Sequence, residues 1–349
     1  MVFLVLLAST VASSPLCAKA LEVAPELHCA PATYGVALSN DAVHAVTLAG
    51  YAQEAEQRFA THFNQPIAPY AVFSIPPVPP RQILNAAGFQ TILPWPAPQA
   101  IDGSLRTKAE AQTREFAAGM NMNAEQTEQI IARALSQLPT PASLAAIDAG
   151  MMPHELGHLW THKAFWSSPE HVPGEDTPRH YGSPAPDWLD EAAGILLEDA
   201  PTANQRREQF KTLMAGDFVP AVGPNEGAPF LLDLPGLLSR EHPGLQRAAP
   251  GLEQARQTGG VAVNFTPAGQ GRSGPPNGME TLFYIQIRAF SDFLMQASNR
   301  PTIIADITQG ISQGQSFENW LATQGQAHGL PATIPELQQA WTTYATSLT

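Results

Sequence analysis

The sequence predicts an α+β protein, with a small mixed sheet in an N-terminal lobe and a mainly helical C-terminal lobe. Three observations carry this expectation. Two short runs of β-forming residues fall before residue 95, helical periodicity flanks them on both sides, and beyond Ala149 the pattern is mostly helical. At 349 residues, 44% of them hydrophobic, the chain can bury one large core or two smaller ones.

At the N-terminus, Val2 to Ala12 form an apolar run too short to span a bilayer, followed by Ser13, Ser14, Pro15 and the small-residue triplet Ala18-Lys19-Ala20. Residues 1–20 therefore read as a secretory signal peptide cut after Ala20, although no Lys or Arg precedes the run. Leu16 stands before Cys17 where a lipoprotein signal takes a small residue, which argues against a lipid anchor. Cleavage there would leave Cys29 alone, so no intrachain disulfide is expected and the exported chain would be held by packing and metal. No other segment approaches about 18 uninterrupted apolar residues, so a secreted or periplasmic protein without an integral membrane segment is expected.

From Asp41 to Phe63, Leu48, Ala52, Ala55, Phe59 and Phe63 recur at helical spacing. Tyr70 to Ile75 is a strand stopped by Pro76-Pro77, and Phe89 to Leu93 is a second strand ended by Pro94. Helices are expected over Lys108 to Ala118 and Asn123 to Leu138, the latter with Asn123 as N-cap. An N-terminal lobe over 21–165 would end on a helix from Pro153 to Phe165, with Pro153 at the first helical position and Gly150 to Met152 outside it. The C-terminal lobe, 166–349, reads as helices over Asp187 to Asp199, Asn204 to Ala215, Met279 to Ala297, Ser316 to Thr323 and Ile334 to Tyr344. Pro/Gly-rich stretches from Ser168 to Pro186 and from His242 to Gly278 interrupt them, and loops of that length are usually functional or disordered.

Eighteen Lys+Arg against 31 Asp+Glu give a formal net charge of −13, an acidic field that repels nucleic acid and anionic lipid. The chemistry is concentrated in His154-Glu155-Leu156-Gly157-His158, an H-E-x-x-H run. Two imidazoles one helical turn apart can share a tetrahedral Zn²⁺, and the intervening glutamate can reach water beside it. Fewer than about 0.02 such runs are expected by chance in this composition.

A catalytic zinc takes three protein ligands. His162 is not the third, because ligands at i, i+4 and i+8 span about 12 Å of helix axis while zinc bonds are about 2 Å; it reads as a surface residue or one behind the ligands. The H-E-x-x-H-x-x-G-x-x-H class is excluded too, since its glycine and third histidine fall on Thr161 and Ala164. Glu191, early in the helix that follows Pro186, is the expected third ligand.

H-E-L-G-H followed by Trp188-Leu189-Asp190-Glu191 and by Glu198 seven positions on resembles the gluzincin metallopeptidases, the group of thermolysin-like and aminopeptidase-N-like enzymes. The resemblance implies a zincin-like, two-lobed fold over roughly residues 40–345, zinc held by His154, His158 and Glu191, and Glu198 orienting a ligand from behind. Neither subgroup is assigned. Gly278-Met279-Glu280-Thr281 follows the zinc motif, whereas the aminopeptidase G-x-M-E-N segment precedes it, and Ile195 stands where thermolysin-like enzymes have aspartate.

A donor for the oxyanion is expected at Tyr284, which lies about 100° around its helix from the stripe of Phe283, Ile287, Phe290 and Leu294; His171, His180 and Tyr181 are rivals. His28, His44, His62, His242 and His328 have no ligand-like spacing and no assigned role. The expected activity is zinc-dependent hydrolysis of a peptide or protein substrate with Glu155 as general base. The alternatives are a secreted or envelope zinc-binding module without catalysis, and a zinc amidase acting on a non-protein amide such as peptidoglycan.

Overall fold

In the computed structural model of the chain, residues 14–74, 85–95, 98–166, 184–216, 232–242 and 277–349 are described. The apolar run 2–12 and the residues His171, His180 and Tyr181 lie outside them.

Strands β1 (His28–Pro31), β2 (Gly35–Ser39), β3 (Tyr70–Phe73) and β4 (Thr91–Pro94) form one mixed sheet in the order β1-β2-β3-β4. The first pair is antiparallel and the other two are parallel, so the chain crosses from β2 to β3 through helix α2 (Ala42–His62). Alternation along the strands sorts side chains onto two faces. Val36, Leu38, Ala71, Phe73 and Ile92 pack with Cys17, Ala20 and Leu27 under helix α1 (Pro15–Val23), whereas Ala37, Tyr70, Val72 and Leu93 face α2 and the long helix described next. β1 and β2 escape the sequence reading because Ala, Gly and Pro dilute their β pattern and β2 is buried on both faces.

Helices α3 (Pro98–Gly119) and α4 (Ala124–Ser136) form a hairpin with a small core of its own around Ile101, Leu105 and Leu144. Asn123 caps α4 through a capping box with Gln126. The central helix α5 (Pro141–Phe165) runs through Gly150 to Met152 and carries Pro153 in its interior, which corrects the expected start at Pro153. A proline there removes one ladder bond and costs about 3 kcal/mol. Packing on both sides of it, with Met152 and Leu156 buried and Gly150 pressed against Thr202, overrides the local preference.

Then follow α6 (Asp187–Leu197), α7 (Ala200–Met214), α8 (Leu234–Ser239), α9 (Asn277–Ser298), α10 (Ile303–Ser312), α11 (Phe317–Trp320) and α12 (Ile334–Ser347). The main core joins the sheet half to the helical half: Phe59, Tyr70 and Trp160 belong to the same buried cluster as Trp188, Phe210, Phe290 and Trp341. No described helix is long and apolar enough to cross a membrane.

Cys17 and Cys29 are joined by a disulfide that ties α1 to β1, which corrects the expectation of none. The sequence reading lost Cys17 by cutting after Ala20, yet Ala20 is fully buried in the middle of α1, and a chain cut there before folding cannot form the bond.

Candidate metal centre

The site forms where α5 and α6 lie against each other. Gly157 allows the approach, since a Cβ there would stand 2.5 Å from the Ala193 carbonyl oxygen. Gly194 returns the favour to the ligand, because a Cβ at that position would lie 2.6 Å from His154 Nε2. The one glycine inside H-E-L-G-H and the one three residues past Glu191 thus set the depth at which imidazole meets carboxylate.

Among the described residues, His154, His158 and Glu191 are the group able to hold a metal ion, with one donor atom from each within 4.8 Å of the others. Glu191 Oε2 is 3.2 Å from His154 Nε2, and its Oε1 is 3.9 Å from His158 Nε2. The outer nitrogens face carboxylates. His154 Nδ1–H donates to Glu198 Oε1 at 3.0 Å, and His158 Nδ1 is 3.2 Å from Asp190 Oδ2. The Glu198 carboxylate on the far nitrogen of His154 fixes its tautomer and turns Nε2 inward, and the Asp190 carboxylate faces the far nitrogen of His158 as an ion pair.

Burial disfavours charge on all three groups, and in each case their neighbours win. The carboxylates of Glu191 and Glu198, one beside each of its nitrogens, push His154 up to about 9. The charges of Asp190 and Glu191 push His158 up to about 10. The two imidazolium charges pull Glu191 down to about 2. Without an ion the cluster therefore balances itself with protons, and a divalent cation would displace them.

Glu191 supplies the test of whether an ion fits. Its side chain is 1% exposed, and among the described residues neither carboxylate oxygen has a hydrogen-bond partner. Protonated imidazoles offset part of the cost of burying this carboxylate, and a cation between it and two inward-turned Nε2 atoms would take the place of those protons.

Glu155 follows His154 on α5, is half-buried, and lies near enough for its charge to act on His158. Tyr284 is also half-buried on α9, while Phe283, Ile287, Phe290 and Leu294 are all buried. Its ring meets that of His154 edge-on at 5.9 Å between centroids. His162 is exposed on the continuation of α5 and stands outside the metal-binding group.

Three participants had no signal in the sequence reading, or a misleading one. His242, given no role, is 1% exposed; its Nε2 lies 3.2 Å from Glu191 Oε1 and is hydrogen-bonded to the Tyr284 hydroxyl at 2.9 Å. Its backbone N–H donates to Asp187 Oδ2 at 2.6 Å, which anchors it to the start of α6. Asp190 has no role assigned from the sequence, although its place directly before Glu191 puts it behind the second imidazole. Arg206 is distant in helical phase from anything in the motif and arrives because the chain breaks at Glu198 and restarts at Asp199, the N-cap of α7. Comparison with family models, with curated proteins and with solved structures returns no match to this chain.

Proposed function

We propose that the protein is a zinc-dependent peptidase of gluzincin type, with a zincin-like cleft between its sheet half and its helical half. One observation carries the reading: Glu191 is buried with neither oxygen hydrogen-bonded among the described residues, opposite two imidazoles turned inward by Glu198 and Asp190. His154, His158 and Glu191 would hold the ion. When bound, zinc supplies a Lewis acid that polarises a carbonyl and acidifies water. Glu155 takes the proton of the attacking water on its carboxylate and returns it to the leaving amine. Tyr284, whose hydroxyl lies 2.9 Å from His242 Nε2, donates to the oxyanion.

Glu155→Gln separates this reading from a zinc-binding module without catalysis. The variant is expected to keep about one zinc per chain by metal analysis and to lose at least about 10²-fold in peptide hydrolysis. Full hydrolytic activity in the variant would remove Glu155 from the mechanism, and a wild-type protein free of zinc after purification and reconstitution would remove the metal.

The Cys17–Cys29 disulfide favours an oxidising compartment, in keeping with export. Because α1 packs on the sheet through Cys17 and Ala20, the processed chain is expected to retain Cys17, with the cut upstream of it. N-terminal sequencing of exported protein decides; a chain beginning at Leu21 would refute the placement.

A further inference from the structure

We infer that Arg206 is a positioning residue that sets two parts of the centre at once: it orients His154 through Glu198, and it holds Tyr284 against His242 through the face of its guanidinium group. The inference rests on the metal-centre reading above. Arg206 Nε donates to Glu198 Oε2 at 2.6 Å and Nη2 donates to Oε1, the same oxygen that accepts from His154 Nδ1. Its guanidinium carbon lies 5.0 Å from the centroid of the Tyr284 ring. The contacts close a circuit from Arg206 through Glu198, His154, Glu191, His242 and Tyr284 back to Arg206.

A buried arginine in this place is more than a clamp on the turn between α6 and α7. The Glu198 side chain is fully buried and that of Arg206 is 13% exposed, so neither charge is kept for solubility. Without the fork of Arg206, one imidazole N–H alone would hold the buried Glu198 carboxylate in place. A carboxylate free to turn would no longer keep its oxygen at Nδ1, and Nε2 would lose its fixed role as the inward nitrogen. The guanidinium also lies over the Tyr284 ring while forking onto Glu198, where a lysine ammonium would be a point charge, so one residue type meets both demands.

The test uses full-length protein stripped by a chelator and titrated with zinc against a chelating dye, and in parallel with Co²⁺, whose visible absorption reports ligand geometry. Arg206→Met is expected to bind zinc about 10- to 100-fold more weakly, the usual effect of removing a group behind a ligand. Arg206→Lys keeps charge without fork or face, and is expected to fall about 10-fold with an altered Co²⁺ spectrum. Combining Arg206→Met with Glu198→Gln should weaken binding no further than Glu198→Gln alone, because the arginine acts on the ion through that carboxylate. Wild-type affinity within threefold and an unchanged Co²⁺ spectrum in Arg206→Lys would overturn the inference while leaving the metal centre standing, and this holds even if Arg206→Met fails to fold. A wild-type chain that binds neither ion would overturn both.

Discussion

Helix α5 carries two buried clusters of histidine and carboxylate, one on each side of Pro153, and they differ in the hydrogens available to the carboxylate. On the N-terminal side, Asp148 accepts from Trp95 Nε1 at 3.0 Å, and His44, 3.8 Å from the other Asp148 oxygen, has its Nδ1 3.0 Å from Ser74 Oγ. On the C-terminal side, Glu191 has the imidazoles of His154, His158 and His242 for neighbours and no hydrogen bond among the described residues. Burying His beside Asp or Glu therefore says little by itself; a carboxylate whose oxygens lack a hydrogen is what points to an ion.

The sharpest way to break this contrast is to remove one member from each cluster. His154→Ala or Glu191→Ala is expected to reduce zinc from about one per chain to below about 0.1, with activity lost alongside. Asp148→Ala should keep its zinc and instead lose about 1–3 kcal/mol of stability, since the Trp95 N–H is left without its acceptor. Zinc lost from the Asp148 variant, by metal analysis on folded protein, would erase the distinction.

A smaller effect is expected at the tyrosine. Tyr284→Phe should lower kcat on the order of 10²-fold with little change in KM, whereas His180→Ala and, in the other cluster, Ser74→Ala should leave kcat near wild type. If His180→Ala slows and Tyr284→Phe does not, the donor lies in the loop before Glu191. Smallest of the three is the glycine pair. Gly194→Ala pushes a methyl group against His154 and should weaken zinc binding about tenfold, while Gly50→Ala, with nothing within 4 Å of its new carbon, should leave affinity alone and stabilise α2 by up to about 1 kcal/mol. Equal zinc affinities in a dye-competition titration would show that the α5–α6 contact has more slack than its distances imply.

How much of the fold and of the metal centre is legible in the sequence follows from how local each constraint is. H-E-L-G-H encodes its geometry within one helical turn, and Glu191 sits at the start of a helix marked by Pro186, so ligand identity and spacing are both written in short runs. Glu198 was legible only through the family resemblance, and it closes α6 rather than lying on its face. His242 and Arg206 reach the centre through chain reversals that no periodicity encodes. In the sheet, Tyr70 to Phe73 was visible because its aromatic and branched residues stand together, whereas His28 to Pro31 becomes a strand only by pairing with β2. The start of α3 at Pro98 was hidden by Asp102 and Gly103, which lower local propensity while Ile101 and Leu105 are held by the hairpin core.

Pro153 also divides α5 in time. It contributes no amide, so the ladder of i to i−4 bonds is interrupted between the turn that carries Asp148 and the turn that begins with His154. Cooperativity along a helix is carried by that ladder, and a gap in it lets the segments on either side open as separate units. The half that bears the two imidazoles can thus exchange its amide hydrogens at a rate set by its contacts with α6, while the half that bears Asp148 follows the sheet.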